Sequence, residues 1–579
     1  IVATAAFGGF RWLLAHLTPL LWWAWTRKGA ALLSLAAVWG YGLLAGLAPS
    51  TQRAVIMVTI FLLTFFFEKE HDSINTLALA AMFILAVFPP ALFAISFQLS
   101  FAAVLSIIYG MTKLPSLFLS LRRPAESAGR FQIRSRLMAF LGVSLLAIGG
   151  TLPLTMYYFN QVSTIGLLAN FLIVPLIGLI VVPLGLMAAF LSPLSGTVAA
   201  LCLKLSATVL AQAVALVTLL ADLPLTAVKT VTPSLFEIGC FYALAWGLLN
   251  LKANNPQPFG IIQTSSRGFK RRWVPRNIAL FLAATILLAG MGDASYWLHQ
   301  RFGRRDLRLT VIDVGQGSAT LLELPGGYTM LVDGGGFADN SAFDMGALVI
   351  APFLWRKKIK TVDTLVLSHP NSDHLNGLIY IAQHFKVKNI WSNRESKDTL
   401  AYRNFMEVIA RRKIHCPRFE DLPRRHRING VELDILYPPD DFLAQSRTVN
   451  WRNANNNSLV LRVSFGSKSF LLPGDIMAEA ENELVRLAGD NLASTVLLAP
   501  HHGSKSSNTG LFLDRVKPEM VIISAGRRNR FLFPHPAALK TIRERNCRIL
   551  RTDIQGAIAL ATDGHDLVIK PFIPAPPWT

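Results

Sequence analysis

The chain has 579 residues, a formal net charge of +21 and a mean hydropathy of +0.42. It is too long for one ordinary domain, and its hydropathy excludes an ordinary soluble protein, so we expect part of it to lie in a membrane. The 4 cysteines lie far apart without a CxxC pair, which argues against a disulfide framework and against a thiolate zinc site.

The charges divide the chain into two parts. Residues 1–304 hold 21 of the 56 basic and 7 of the 35 acidic residues, which leaves 35 basic and 28 acidic residues to 305–579. The first part is charge-poor and almost purely basic, and the second has the charged fraction of a soluble domain. We therefore predict a membrane domain over residues 1–300 and a soluble domain over 301–579. Because the chain begins at Ile1 without methionine, we expect an N-terminal portion to precede it.

Ten apolar runs of the first part are predicted to span a bilayer. They cover residues 10–25, 29–48, 53–67, 74–90, 92–111, 137–158, 163–192, 197–220, 234–251 and 277–295. Two basic linkers, 113–136 and 252–276, are expected to be cytoplasmic by the positive-inside rule. The run at 163–192 either crosses once or dips and returns. With a single crossing, or with a return and one extra crossing nearby, the last run carries the C-terminal domain out of the cytoplasm.

Some residues of these runs are unfavourable in lipid. Arg53, Gln98 and Asn170 would leave polar groups in hydrocarbon unless they face protein or water. Snorkelling is the ordinary alternative for Arg53. For Gln98 and Asn170 we favour a polar interior, which would be a pore or a substrate path.

Three of the runs carry a family resemblance. RAVIMVTIFLL from Arg53, FQLSFAAVLSI from Phe97 and LPLTMYYFNQVSTIGLLANFLIVPLIGLIVVPLG from Leu152 resemble the membrane domain of the ComEC family. In that family the domain is the channel that admits single-stranded DNA during natural transformation. The resemblance covers roughly residues 30–250 and implies a multi-pass protein of the bacterial inner membrane.

The second part alternates strand and helix patterns, which predicts an α/β domain. Metal-ligand residue types follow its predicted strands, where a rigid edge lets side chains converge on a divalent ion. These residues are Asp333 after YTMLV, His369 to His374 after TLVLS, Asp475 after SFLLPG, His501 and His502 after TVLLAP, and His535 in FPHP.

The order DVGQG, LVDGG, SHxxxDH, PGD, HHGS and HP resembles the metallo-β-lactamase fold as it occurs in ComEC proteins. The implied fold class is a polytopic α-helical membrane domain followed by an αββα metallo-β-lactamase-like domain. The implied metal ligands are His369, Asn371, Asp373, His374, Asp475, and His501 or His502.

The resemblance also implies two divalent ions, manganese or zinc, which would cleave a phosphodiester. It implies catalytic roles for Asp373, Asp475 and His535, an orienting role for Asp333, and help from Ser504 in seating the phosphate. The family's metal loop reads HxDxDH or HxHxDH, whereas Asn371 is a neutral amide at the third position. We therefore expect one of the two ions to be held weakly.

A basic and aromatic segment precedes the last histidine of this set. Arg527, Arg528 and Arg530 lead into Phe531, an arrangement suited to guiding a phosphate backbone and stacking a base. The ordinary alternative for such charge runs is a solvated face or a contact with lipid phosphate.

Three functions remain open at this stage. The first is a DNA-uptake channel whose external domain hydrolyses the strand that is not imported, and the second is a channel whose lactamase-like domain only binds and guides DNA. The third is a membrane-anchored metallohydrolase of small molecules. The expected partners are single- and double-stranded DNA, membrane lipid, a DNA receptor, and a cytoplasmic motor, because the chain has no GxxxxGK[ST] loop. A homo-oligomer is also open.

Overall fold

The computed structural model describes residues 2–16, 25–66, 72–113, 130–250, 276–339, 343–446 and 448–574. The chain divides into two compact units, which we call the membrane unit (Ile1–Gly290) and the C-terminal unit (Met291–Thr579). The division falls inside helix Arg276–Leu298, slightly before the boundary expected at residue 300. Most of both basic linkers, residues 114–129 and 251–275, lies outside the described residues.

Helices make up nearly all of the described membrane unit. They are α1 (Val2–Leu14), α2 (Thr26–Leu44), α3 (Pro49–Phe66), α4 (Ser73–Val87), α5 (Ile95–Lys113), α6 (Arg130–Phe159), α7 (Gly166–Pro175), α8 (Val182–Leu191), α9 (Gly196–Ala221), α10 (Leu235–Asn250) and α11 (Arg276–Leu298). Within the described residues, six helical stretches are long and apolar enough to cross a membrane: Pro49–Phe66, Ile95–Lys113, Leu137–Phe159, Gly166–Leu191, Gly196–Ala221 and Leu280–Gly303. The chain is therefore a multi-pass membrane protein. The apolar run expected at 10–25 lies partly outside the described residues.

The proline-containing run at 163–192 forms one continuous helical path. A π-helical turn, Leu176–Val181, joins α7 to α8, and Pro175 and Val182 on either side keep right-handed helical dihedrals. The π turn absorbs the backbone irregularity that the proline introduces, so the direction of the chain does not reverse. The structure thus favours a single crossing over a segment that dips and returns.

Packing contacts fix which helix ends lie together. Gly110 approaches Leu146 and Gly150 approaches Ser106, so α5 and α6 run antiparallel. At the end of α5, Lys113 Nζ lies 2.6 Å from the Oδ1 atom of Asn250 at the end of α10. The two long basic linkers, which follow α5 and α10, therefore leave from the same end of the helices.

The opposite end carries a two-stranded ribbon. Strands β1 (Gln161–Ser163) and β2 (Ala227–Lys229) pair antiparallel. Because β1 follows α6 and β2 follows α9, the C-terminal ends of these helices lie together. Asn160 reinforces this end by donating to the Thr232 hydroxyl at 2.7 Å.

Two seven-stranded sheets form the centre of the C-terminal unit. The first has the order β16-β15-β3-β4-β5-β6-β7 and the second β14-β13-β12-β11-β10-β9-β8. The strands are β3 (Leu307–Val311), β4 (Thr320–Glu323), β5 (Thr329–Val332), β6 (Thr361–Leu367), β7 (Lys386–Ser392), β8 (Arg425–Ile428), β9 (Val431–Tyr437), β10 (Val460–Phe465), β11 (Lys468–Leu472), β12 (Val496–Leu498), β13 (Met520–Ile523), β14 (Arg548–Arg551), β15 (Ile558–Thr562) and β16 (Leu567–Pro571).

Helices complete this unit. They are α12 (Ala351–Arg356), α13 (Ser372–His384), α14 (Leu400–Arg412), α15 (Phe442–Gln445), α16 (Ala478–Ala488), α17 (Gly510–Val516), α18 (Pro536–Arg543) and α19 (Thr552–Gln555). One buried cluster draws apolar side chains from strands of both sheets, including Leu309, Leu322 and Met330 from the first and Leu461 and Phe470 from the second. The two sheets therefore pack face to face around a shared core.

Parallel strands position the functional edge. In the first sheet β5 pairs parallel with β6, and in the second β11, β12 and β13 pair parallel with one another. Parallel neighbours end at the same edge of a sheet, so the segments that follow these five strands gather there. The polar side chains that the sequence placed after these strands are thus brought to one side of the unit.

Residues 306–335 read as strand, turn and strand from the sequence, but they contain three strands, β3, β4 and β5. The reason is that DVGQG turns the chain back before β4, while a second turn at Pro325–Gly327 separates β4 from β5. The basic segments that contain β8 and β14 read as charged surface from the sequence. Arginine occupies alternate positions of β8 (RHRI) and both ends of β14 (RILR). Both strands lie at the two edges of the second sheet, where a strand tolerates such charges.

Candidate metal centre

Four side chains converge where the loops after the parallel strands meet. Asp373, His374, Asp475 and His502 each offer a ligand atom, and these atoms all lie within 4.8 Å of one another. The Nε2 atom of His374 lies 3.1 Å from Asp475 Oδ1, and that of His502 lies 3.5 Å from Asp475 Oδ2 and 3.6 Å from Asp373 Oδ2. Two imidazoles and two carboxylates at these distances suit a divalent ion.

Two further histidines lie near Asp475 at longer distances. The Nε2 atoms of His369 and His501 lie 4.0 and 3.9 Å from Asp475 Oδ2. His369 is fully buried, whereas the His501 side chain is 20% exposed. Asp475 is therefore close to four histidine rings, two at 3.1 and 3.5 Å and two at 3.9 and 4.0 Å.

The orientation of the histidines leaves one nitrogen of each free for an ion. His369 Nδ1 lies 3.0 Å from Ser368 Oγ, His374 Nδ1 lies 2.7 Å from Asp333 Oδ2, and His502 Nδ1 lies 3.0 Å from the Ser524 carbonyl oxygen. Such outer contacts fix the ring orientation of metal-binding histidines.

The opposite nitrogens of these three rings are buried and face carboxylates instead of well-aligned hydrogen-bond partners. The Nε2 atoms of His369, His374 and His502 make no aligned hydrogen bond to any residue that the structure describes, although carboxylates lie nearby. Buried polar atoms without partners are costly, so their convergence indicates a missing ligand. A cavity of about 10 Å³ lies beside His374, Asp475 and His502, which is room for a single ion or water molecule. The residues present therefore fit a divalent metal ion.

The charges of the four-residue cluster are set by mutual contact. Burial alone would raise the pKa of Asp475, but the charges of His502 and His374 hold it well below its usual range. The pKa of Asp373 is also lowered: burial opposes the shift, and the His502 imidazole 3.6 Å away outweighs it. Burial alone would lower the pKa of His502, whereas Asp475 and Asp373 raise it to about 9. Without a metal, this cluster is a buried network of paired charges.

His369 and His501 behave differently. Burial, reinforced by the charge of His374, lowers the pKa of His369 to about 4. The pKa of His501 is lowered, chiefly by burial. Both rings are thus neutral near pH 7, which is the form that can bind a metal.

Asp333 holds the metal loop in place. Its carboxylate accepts from the Ser368 amide and the Ser368 hydroxyl, both at 2.8 Å, and contacts His374 at 2.7 Å. Asp333 is 1% exposed and lies outside the set of converging ligand atoms. These contacts are those expected of an orienting residue.

Asn371 does not join the convergent set. Its amide nitrogen donates to Asn455 Oδ1 at 2.5 Å, and its amide oxygen accepts from Lys397 Nζ at 2.5 Å. The Asn455 amide in turn lies 3.5 Å from His501 Nε2. Both functional atoms of Asn371 are therefore engaged with protein groups.

Backbone geometry brings the loops close together. A Cβ atom at Gly317 would lie 2.4 Å from the Asp373 carbonyl oxygen, which also accepts from the Ser318 amide at 3.1 Å. His501 and His502 adopt positive φ angles of 50° and 55°, a conformation uncommon for residues other than glycine. Such strain is tolerated where the surrounding structure fixes the backbone, and here it turns both rings toward Asp475.

The remaining predicted residues lie around this centre. Ser504 is buried, with its hydroxyl 3.0 Å from Ser506 Oγ and its amide donating to the His501 carbonyl oxygen. His535 caps α18 through Nδ1, which accepts from the Ala537 amide at 3.2 Å, while its own amide donates to the Gly503 carbonyl oxygen. The proposed catalytic role of His535 stays a prediction.

A stacked series of side chains leads away from His502. The Phe533 ring lies 6.4 Å from His502 at 27°, and the Phe531 ring lies 5.6 Å from Phe533 at 20°. The Arg530 guanidinium lies 4.7 Å from the Phe531 ring centre. Phe531 is 47% exposed, and Arg527 and Arg528 precede it on the same exposed loop. The predicted DNA-guiding residues are thus continuous with the metal centre.

Sequence reasoning missed several residues of the site. They are Ser368, Ser458, Asn455 and Lys397. Ser458 Oγ lies 3.2 Å from His369 Nδ1 and accepts from the Asp475 amide at 3.1 Å. The available signal was the polar run Asn455 to Ser458 directly before the buried strand β10, because such a run at a strand's start must find partners. Lys397 lies in a loop without periodicity and carried no comparable signal.

Comparison with known proteins agrees with this architecture. A family model described as competence protein matches residues 1–254, and one described as metallo-beta-lactamase superfamily matches residues 312–527. ComE operon protein 3 of Bacillus subtilis is 27% identical over 92% of this chain and 64% of that protein. Recombination protein 2 of Haemophilus influenzae is 28% identical over 90% of this chain and 61% of that protein.

A third relative, competence protein ComA of Neisseria gonorrhoeae, is 30% identical over 49% of this chain and 36% of that protein. The chain thus spans less than two thirds of the length of each of these relatives. The predicted fold class is confirmed by the two family matches together with the helices and paired sheets. Residues 1–254 belong to the competence protein family and residues 312–527 to the metallo-β-lactamase superfamily, and this chain joins the two.

Proposed function

We propose that this chain is an inner-membrane channel for uptake of single-stranded DNA in natural transformation, and that its C-terminal unit is an extracytoplasmic nuclease acting on the strand that is not imported. One observation carries the proposal. A buried metal-ligand cluster is directly continuous with an exposed arginine and phenylalanine surface, attached to a competence-family membrane domain. A phosphodiester chain is the substrate that both the metal ligands and this surface suit.

The metal centre supplies the hydrolytic chemistry. Asp373, His374, Asp475 and His502 would hold one ion tightly, manganese or zinc, whereas His369 and His501 with Asp475 would hold a second ion only weakly. A divalent ion bound there activates water and neutralises charge on a phosphodiester. Asp333 keeps the His374 ring oriented through its 2.7 Å contact.

The surface beside the centre would present the substrate. Phe531 offers an exposed ring for a base, and stacking of this kind tolerates any sequence. Arg527, Arg528 and Arg530 would neutralise the backbone. A single strand fits this role best, because its bases are free to leave a stack and lie on Phe531.

The helix arrangement supports an external C-terminal unit. The basic linkers after α5 and α10 leave from one end of the helices and are placed in the cytoplasm by the positive-inside rule. Helix α11 starts after the second linker, and the stretch Leu280–Gly303 is long enough to span the bilayer once. The residues that follow it would then lie outside the cytoplasm.

Polar groups at the external helix ends would begin the import path. Arg53 is 7% exposed and donates to Ser96 Oγ at 2.9 Å and to Ser100 Oγ at 3.1 and 3.3 Å. Among the described residues no carboxylate contacts it, so no acidic partner neutralises its charge there. Gln98 accepts from the Tyr158 hydroxyl at 2.8 Å, and Asn170 is half-buried on α7.

Partners follow from the same reasoning. The protein would meet double-stranded DNA delivered by a receptor, and a cytoplasmic motor would draw in the imported strand. Membrane lipid surrounds the helices, and a homo-oligomeric channel is compatible with them.

The nuclease assay uses the purified full chain in detergent with labelled single- and double-stranded DNA. We expect cleavage only with added manganese or zinc, and a loss of at least about 100-fold in Asp373→Ala, because that variant removes a ligand of the ion. Asp490→Ala is the matched control, since Asp490 is an exposed carboxylate that pairs with Arg515. Absence of cleavage with either metal, together with retained DNA binding, would reject the nuclease.

That outcome would leave the second candidate, a lactamase-like module that only guides DNA. The specific observation in its favour is Asn371, whose amide is engaged by Asn455 and Lys397.

Topology is tested with a reporter that is active only in the cytoplasm. Fused after Thr579 it should be inactive, and inserted within residues 251–275 it should be active. The reverse pattern would place the C-terminal unit in the cytoplasm.

A further inference from the structure

The third position of the metal loop is occupied by an amide that faces a cation. Lysine only donates hydrogen bonds, so the Lys397 contact at 2.5 Å fixes the oxygen of Asn371 on the lysine side. The nitrogen must then face Asn455 Oδ1, as observed. Both polar atoms of the Asn371 amide are thus hydrogen-bonded to protein groups, and neither is available to bind a metal ion.

The same hydrogen-bond chain reaches His501. With its oxygen engaged by Asn371, the Asn455 side chain directs its amide nitrogen toward His501 Nε2 at 3.5 Å. That nitrogen is the atom His501 would offer to an ion, 3.9 Å from Asp475 Oδ2. Lys397, Asn371, Asn455 and His501 therefore form a chain of contacts along one side of Asp475.

The two sides of Asp475 differ in charge as a result. On the His502 side, two carboxylates and two imidazoles converge. On the His501 side, no carboxylate among the described residues adds a converging ligand atom besides Asp475, and the Lys397 ammonium lies two side chains from His501, through Asn371 and Asn455. A second dication placed there would be repelled by Lys397, whereas an anion would be attracted.

We propose that this chain binds one divalent ion tightly and that Lys397 takes the place of a second ion, contacting a phosphate of the substrate. The phosphate part rests on the proposed function, and the metal count does not. The ammonium suits this role because Lys397 is exposed and flexible, so it can turn from Asn371 to an incoming phosphate.

The first test counts metal ions. The purified full chain is stripped with a chelator, equilibrated with micromolar manganese and analysed by elemental mass spectrometry. We expect one ion per chain in the wild type and in Lys397→Ala, and two in the double variant Asn371→Asp with Lys397→Ala. Two ions in the wild type, or one in the double variant, would overturn the proposal.

The second test measures binding of inorganic phosphate to the manganese-loaded protein through phosphorus relaxation. Lys397→Ala should weaken phosphate binding about tenfold or more, as expected for loss of a charge-assisted contact, and Lys397→Arg should retain it. Lys388→Ala is the matched control, because Lys388 is an exposed lysine that pairs with Asp363 at 2.7 Å. Unchanged phosphate binding in Lys397→Ala would show that the lysine only holds Asn371 and would overturn its substrate role.

These readouts are separate from the proposed nuclease activity. Metal count and phosphate binding require no DNA cleavage, so a protein that fails to cut DNA can still satisfy both tests. Conversely, a protein that cuts DNA with two bound ions would retain the nuclease function and lose this inference.

Discussion

The two sides of the Asp475 carboxylate show how one fold position can support different chemistry. Its Oδ1 side faces His374 at 3.1 Å, and that ring is anchored by Asp333. Its Oδ2 atom faces His502 at 3.5 Å, while His501 and His369 lie farther from the same atom, at 3.9 and 4.0 Å. The pair His374 and His502 and the pair His369 and His501 each offer two imidazoles, so the imidazoles alone do not distinguish the two sides.

The difference lies in the anions and in the outer contacts. Asp373 adds a second carboxylate on the His502 side, whereas Asn371 adds none on the other and is paired with Lys397. A divalent ion needs negative charge as well as geometry, because removing it from water is costly unless charge compensates. The comparison teaches that metal occupancy is decided by the carboxylates and by the nearest cation.

The largest effect is expected from the residue that both sides share. Asp475→Ala should abolish tight metal binding and reduce DNA cleavage to background, because it leaves imidazoles without a bridging anion. Metal content and cleavage by the full chain measure this, with Asp440→Ala, at an exposed carboxylate paired with Arg424, as the control. Retention of one tightly bound ion in Asp475→Ala would contradict the ligand assignment.

Substitution of one histidine on each side of Asp475 should change manganese affinity by different amounts. We expect His502→Ala to weaken manganese binding at least about 100-fold and His501→Ala by less than about tenfold, since only His502 belongs to the set with two carboxylates. Calorimetric titration of the full chain gives both affinities. Equal losses would mean that the two sides hold metal equally well.

Much of this centre could be predicted from the sequence because its residues follow buried strands. Asp333, Asp475 and His502 each come directly after an apolar strand, and apolar patterning fixes where such strands end. The exact strand count near residue 320 was not predicted, because the turn in DVGQG interrupts what reads as one element.

Long-range partners could not be predicted in this way. The Asn371 contacts join residues 26 and 84 positions apart in the chain, and no local pattern specifies such pairs. The sequence also did not reveal which basic residues are neutralised by distant acidic residues, for the same reason. Arg425 reads as part of a basic cluster, yet it pairs at 2.7 Å with Asp434 across the edge strand β8 and its neighbour β9.

The pH dependence of metal binding sharpens the contrast. Because the pKa of His502 is raised to about 9, this ring is protonated near pH 7 and must lose its proton to bind an ion. Loss of this proton alone should therefore increase metal affinity about tenfold per pH unit from pH 7 to pH 9. Calorimetry in buffers of different ionisation enthalpy detects the released proton.

The metal-free fold should show the opposite trend. A pKa raised from 6.5 to about 9 contributes stability that is complete below about pH 6.5 and is lost as the pH rises through 9. Thermal unfolding in chelator should thus shift to lower temperature between pH 7 and pH 9. A metal affinity that does not change with pH would show that His502 releases no proton when the ion binds.

The smallest expected effect compares the residues that orient the two sides. Asp333→Asn weakens the anchoring of His374, and we expect about a tenfold loss of metal affinity, as for other outer contacts of ligand histidines. Ser458→Ala removes the 3.2 Å contact to His369, on the side that we expect to hold no tight ion, so its effect should be less than about threefold. Ser458 also accepts from the Asp475 amide, which makes it a demanding comparison, since that contact alone could disturb the shared carboxylate. If Ser458→Ala weakened binding as much as Asp333→Asn, the His369 side would carry the ion too, and the distinction between the two sides of Asp475 would fail.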